Sequence, residues 1–130
     1  MTASAPQEMT CLRVATVQMK FAPSISENLT KIERATRQAV RRGADAVLFP
    51  ECATTGYAID FKSLRPPAVT ETLQAVAGLA KRYRVNLLVG SAVFRGRRLQ
   101  NCLVVFDREG QPVHCYAKCQ FGLGLVPHPT

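Results

Sequence analysis

Val47-Leu48-Phe49-Pro50-Glu51-Cys52-Ala53-Thr54-Thr55-Gly56-Tyr57 runs from apolar residues into an abrupt Pro-Glu pair and then through small residues to a closing Gly-Tyr. The four residues Ala46 to Phe49 are all apolar, as in a short strand buried on both faces. Open α/β sheets place their chemistry just beyond the carboxyl ends of such strands. A carboxylate buried there is costly unless it has a partner or a task. Glu51 is therefore the first candidate functional residue. On pattern alone it serves as a general base, binds a cation, or forms an internal ion pair. The obvious cationic partner is Lys118, which closes Tyr116-Ala117-Lys118 at the end of the last predicted strand.

Working outward, Leu12 to Lys20 reads as a strand rich in Val and Thr, broken by Phe21-Ala22-Pro23. Ser24 and Glu27 have the spacing of a capping box, which opens a helix running to about Arg42. Its apolar residues Leu29, Ile32, Ala35, Ala39 and Val40 keep the helical period, and Gly43 stops it. Residues 58–69 read as a loop stiffened by Pro66-Pro67, with Thr70 as the N-cap of a second helix. Leu73, Val76, Ala77, Ala80 and Tyr83 mark the apolar face of that helix. Three strands follow, Val85 to Phe94, Leu99 to Asp107 and Val113 to Lys118. Gly96 and then Asp107-Arg108-Glu109-Gly110 supply the turns between them. The order β-α-β-α-β-β-β starts as parallel crossovers and ends as a meander. It predicts an α/β fold, a mixed sheet with two helices on one face.

At 130 residues a single domain is expected. No apolar run approaches the ~18 residues of a membrane span, so no membrane association is expected. The first residues lack the basic and apolar regions of a secretory signal, which leads to a cytoplasmic expectation. Five cysteines, an odd and scattered set, read there as reduced thiols. The net charge of +8 raises nucleic acid as a partner. However, Arg34, Arg37, Arg41 and Arg42 recur at helical spacing away from the apolar stripe, as a solvated face does, and no aromatic residues interleave them for base stacking. No nucleic-acid partner is expected.

A metal or a cofactor finds no support. If 113–118 is a strand, Cys115 and Cys119 lie about 13 Å apart at ~3.3 Å per residue. One zinc ion with bonds of ~2.3 Å could not join them, even with His114 nearby. Cys11 and Cys102 read as small buried hydrophobes on strands. Cys52, next to Glu51, reads as a packing residue pointing away from the carboxylate, because neighbours on an extended chain face opposite sides.

In order and spacing these features resemble the nitrilase superfamily of carbon–nitrogen hydrolases. The residues that carry the resemblance are Leu12 to Met19, Asn28, Gly43-Ala44-Asp45, Phe49-Pro50-Glu51, Thr55-Gly56-Tyr57, Asn101, Glu109-Gly110 and Tyr116-x-Lys118. The resemblance covers residues 12 to about 120. It implies an α-β-β-α sandwich, of which this chain holds part. It also implies hydrolysis of a non-peptide C–N bond in an amide, carbamoyl or nitrile substrate by a Glu-Lys-Cys constellation. By that pattern Glu51 is the general base and Lys118 the cation that stabilises the tetrahedral intermediate.

The resemblance also implies a nucleophilic Cys and a second Glu well beyond Lys118, whereas the sequence ends twelve residues after it. The nucleophilic Cys is thus expected to be absent. Residues 121–130 read as an out-of-pattern tail, with a solvated His128, on a single truncated domain. The chain is expected to be inactive alone. The alternative is a non-catalytic module that pairs with a full-length homologue or a separate second half. In either case the uncovered sheet face predicts self-association into a homo-oligomer or dependence on a complementary partner.

Overall fold

A computed structural model describes residues 11–57 and 60–119. The elements are β1 (Val14–Thr16), α1 (Ile25–Arg41), β2 (Ala46–Leu48), α2 (Pro66–Tyr83), β3 (Asn86–Arg95), β4 (Arg98–Phe106) and β5 (Pro112–Ala117). They build one five-stranded sheet in the order β1-β2-β3-β4-β5. The first three strands run parallel, and β4 and β5 pair antiparallel in a meander. The α/β class and the mixed sheet are as the sequence predicts. The tail 121–130, with His128, lies outside the described residues.

Side-chain alternation divides the sheet into two faces. Val47, Leu87, Val89, Cys102, Val104 and Phe106 point to one side and pack with Ile32 and Ala39 of α1 and Val76, Leu79 and Ala80 of α2 in one core. Both helices therefore cover the same face. Leu48, Leu88 and Val105 align in register on the opposite side, beside the Leu103–Tyr116 pair. These four aliphatic residues are only half-buried and Tyr116 is exposed, so this second face is apolar yet open to water.

Local sequence explains most of the element ends. Ser24 caps α1, accepting from the Glu27 N–H at 3.3 Å and donating its hydroxyl to the Glu27 carboxylate at 2.7 Å. Gly43, at φ +79°, ends the helix where a side chain would meet the Arg13 guanidinium.

Two boundaries depart from expectation. β1 is three residues long rather than nine: it sits at the sheet edge with β2 alone to pair with, and β2 is itself three residues. Helix α2 starts at Pro66, not after Thr70, because prolines fit the first helical turn, where no N–H is needed, and their φ is already helical.

Candidate functional site

The turn after β2 is fixed from three sides. Phe49 N–H donates to Leu88 O at 2.8 Å, carrying the chain past the end of β2, and Thr54 N–H donates to Gly90 O at 3.3 Å. Between these contacts the turn lies directly on Gly90. A Cβ there would come within 2.3 Å of Pro50 O and 2.7 Å of Glu51 Cα and Cys52 N, so only glycine fits. Thr54 Oγ1 and Ser91 Oγ share a buried hydrogen bond of 2.8 Å. The fully buried Asn28 of α1 holds the far side. Its Oδ1 accepts from Ala22 N–H at 2.7 Å, and its Nδ2 donates to Ala22 O at 3.2 Å and Thr54 O at 3.3 Å.

This frame delivers Glu51 to the end of the sheet. Its Oε1 accepts a hydrogen bond from Lys118 Nζ at 2.7 Å and another from Asn101 Nδ2. Lys118 follows β5, and its N–H donates to Asn101 O at 2.8 Å, so β4 and β5 present both donors together. The sequence reading had Glu51 buried at a strand end. Instead it lies in a turn, with side-chain exposures of 39% for Glu51 and 37% for Lys118. The Lys118 hydrogen bond, joined by Tyr57 and Asn101 and opposed by partial desolvation, holds the Glu51 carboxyl below its ordinary value of 4.5. At neutral pH the site is an ionised carboxylate beside an ammonium group. Tyr57 borders it, edge-on to Phe21 with ring centroids 5.6 Å apart.

Such a pair can accept a proton at Glu51 and stabilise a developing oxyanion at Lys118. A covalent route also needs a thiol. Cys52 adjoins Glu51 but is buried, and desolvation and the Glu51 charge push it up to about 11. Cys52 lies in the turn at φ +54° rather than on an extended strand, so strand alternation does not set its direction relative to Glu51. Cys102 is buried and also pushed up to about 11, chiefly by desolvation. Cys11, expected to be buried, is exposed because β1 begins three residues later. Cys119 is exposed, with its sulfur directed at Ala117 O, 3.4 Å away. Among the described residues no group of three or more His, Cys, Asp or Glu side chains could hold a metal ion. Likewise, no helix among them is long and apolar enough to cross a membrane.

The sequence reading included Asn101 and Asn28 in its pattern without giving them work. Asn101 is an amide in a largely apolar strand and donates to Glu51 itself, whereas Asn28, in a largely polar helix, ties Ala22 to the Glu51 turn at Thr54. Gly90, inside a nearly continuous apolar strand, is the sequence signal of this close backbone approach.

The family model described as carbon-nitrogen hydrolase matches residues 13–127. The chain belongs to the carbon–nitrogen hydrolase family. Among curated relatives, human omega-amidase NIT2 is 29% identical over 112 residues, covering 85% of this chain and 41% of that protein. The citrullinase of Francisella tularensis is 25% identical over 124 residues, covering 90% and 43%. The chain thus spans about two fifths of the length of these relatives. A mutant of the amidase from Nesterenkonia sp. AN1, solved in complex with butyramide, superposes with a TM-score of 0.80 at 22% identity, covering 85% of this chain and 44% of that one. A carbon-nitrogen hydrolase from Helicobacter pylori G27 superposes at 0.78 with 18% identity, covering 88% and 41%. The two structures share the fold: a mixed sheet with two helices on one side.

Proposed function

We propose that this chain carries the base-and-lysine half of an amidase-type active site and takes the nucleophilic thiol from outside residues 11–119. The observation that carries the reading is the hydrogen-bonded pair of Glu51 and Lys118, fixed on separate elements at one end of the sheet. In this reading Glu51 accepts the proton of an incoming thiol, and the thiolate attacks the amide carbonyl. Lys118 then faces the oxyanion of the tetrahedral intermediate. As that intermediate collapses the proton returns to the leaving nitrogen, which departs as the amine or ammonia while an acyl-thioester forms. Water completes the cycle by the same base. A carboxylate held below its ordinary value is a weak base in the open site; covering it with substrate and protein adds desolvation, which favours the neutral carboxyl, against the Lys118 charge, which favours the carboxylate.

A short aliphatic amide is the substrate class this reading favours. The support is a structural neighbour that is an amidase solved with butyramide, together with omega-amidases among the curated relatives. Cys52 does not supply this thiol, because it stays protonated and enclosed at neutral pH. The isolated chain is therefore expected to be inactive.

The open sheet face favours a second, compatible reading, a module completed by a complementary layer. Leu48, Leu88, Leu103 and Val105 offer an apolar surface next to the Glu51–Lys118 pair, so whatever covers this face also closes the site.

The test is ammonia release from butyramide. The chain alone should give none. A chimera in which residues 13–119 replace the matched part of the Nesterenkonia amidase should give turnover. Turnover by the chain alone would show that one of its own thiols is the nucleophile and would remove the proposal.

A further inference from the structure

A second concave surface lies at the edge of the sheet, away from Glu51. It is a groove of about 590 Å³ between β1 and helix α1. Its floor includes Ala35 and Ala39, and Arg13, Lys31, Arg34 and Arg42 stand along it; no Asp or Glu lines it.

The backbone beside the groove is half-used. Arg13 O accepts from Asp45 N–H at 2.7 Å, and Val17 N–H donates to Leu48 O at 2.8 Å. In a parallel ladder alternate residues face the same neighbour, so residues 13, 15 and 17 address β2. Val14 and Thr16 then turn their N–H and C=O groups outward. As β1 is the edge strand, these groups have no strand partner among the described residues. Val14 and Thr16 are exposed. An edge of this kind accepts another strand.

We propose that this groove docks an extended acidic segment of a different polypeptide, which adds to the sheet beside β1. Backbone hydrogen bonds to Val14 and Thr16 give the affinity. Carboxylates spaced two residues apart meet the arginines and Lys31, while small apolar residues lie over Ala35 and Ala39. Charge selects the occupant. A second copy of this chain brings a net charge of +8 against the same basic groove. The residues flanking the described ones bring no matching charge, since residues 1–10 hold one acid, Glu8, and residues 120–130 none.

The probe is a capped ten-residue peptide alternating Glu and Val, titrated into the full chain by fluorescence anisotropy, with a Lys-Val peptide and a single-stranded DNA ten-mer alongside. Saturable binding of the Glu-Val peptide alone is expected. The double variant K31E/R34E should weaken it by about tenfold or more, through lost charge complementarity. Thr16→Pro removes one outward N–H while sparing the ladder to β2, and should also weaken it. A measurement on the unaltered chain guards against misfolded variants: amide exchange at Val14 and Thr16 should slow when the peptide binds. Equal or tighter DNA binding, with unchanged exchange at Val14 and Thr16, would show a generic polyanion groove and overturn the proposal. Failure of the Glu-Val peptide to bind would do the same.

Discussion

Lys118 Nζ sits 2.7 Å from Glu51 Oε1, joining the residue after the last strand to the turn after the second across 67 positions of sequence. Both side chains remain more than one-third exposed, so solvent screens the pair, and its worth to the resting fold is small. Its effect on protonation is the more direct readout. The Glu51 carboxyl is held below its ordinary 4.5, so the stabilisation it gives is fully present above about that pH and is lost as pH falls through the lower folded value. A carbon-detected NMR titration should place the Glu51 midpoint below 4.5, and Lys118→Met should move it up. A midpoint above 4.5 in the unaltered chain would contradict the geometry.

Gly90→Ala should be strongly destabilising, by about 3 kcal/mol or more, because the new methyl meets the backbone of Pro50, Glu51 and Cys52 rather than a yielding side chain. Denaturant unfolding measures this. The same variant should move Glu51 away from Lys118, returning its carboxyl toward the ordinary value. A neutral Gly90→Ala would mean that the turn does not lie on β3.

Asn28→Ala should cost about 2–4 kcal/mol, because it leaves the buried Ala22 N–H, Ala22 O and Thr54 O without their partner. Asn28→Asp should be no better: the carboxylate can accept from Ala22 N–H but cannot donate to either carbonyl, and it buries a charge. Equilibrium unfolding of the two variants separates this from a simple loss of volume, which Asn28→Asp barely changes.

Four of the five thiols should divide into two classes under alkylation, with the half-buried Cys115 between them. Cys11 and Cys119 are exposed and should react promptly at pH 7.5. Cys52 and Cys102 are buried, with thiols pushed up to about 11, so roughly one in three thousand is ionised at that pH and both should be slow. Mass spectrometry of timed iodoacetamide digests gives the order. Rapid alkylation of Cys52 in the folded chain would reopen it as the nucleophile.

How much of this was legible in the sequence differs by element. The helices, the meander and the juxtaposition of Glu51 with Lys118 follow from periodicity, turn residues and the habit of α/β sheets to gather strand ends. The turn itself was not legible. Cys52 adopts φ +54° without being glycine, a conformation held by tertiary contacts rather than by its own preference. β1 is shorter than its Val and Thr content predicts, because that content reports strand preference, whereas an edge strand extends only as far as its partner. The arginines of α1 are exposed, as a solvated face predicts. Arg34 and Arg42 also line a groove that exists only because β1 stands beside the helix, a juxtaposition that no local pattern contains.

The most direct measurement is ammonia release from butyramide by the chimera carrying residues 13–119, compared among the parent, Glu51→Gln and Lys118→Met. Each substitution should lower kcat by at least about a hundredfold while the chimera stays folded by circular dichroism, as expected when a general base or an oxyanion-stabilising group is removed. An active chimera that keeps its kcat with Gln at position 51 would contradict the assignment of Glu51 as the base, and the Glu51–Lys118 pair would then be structural.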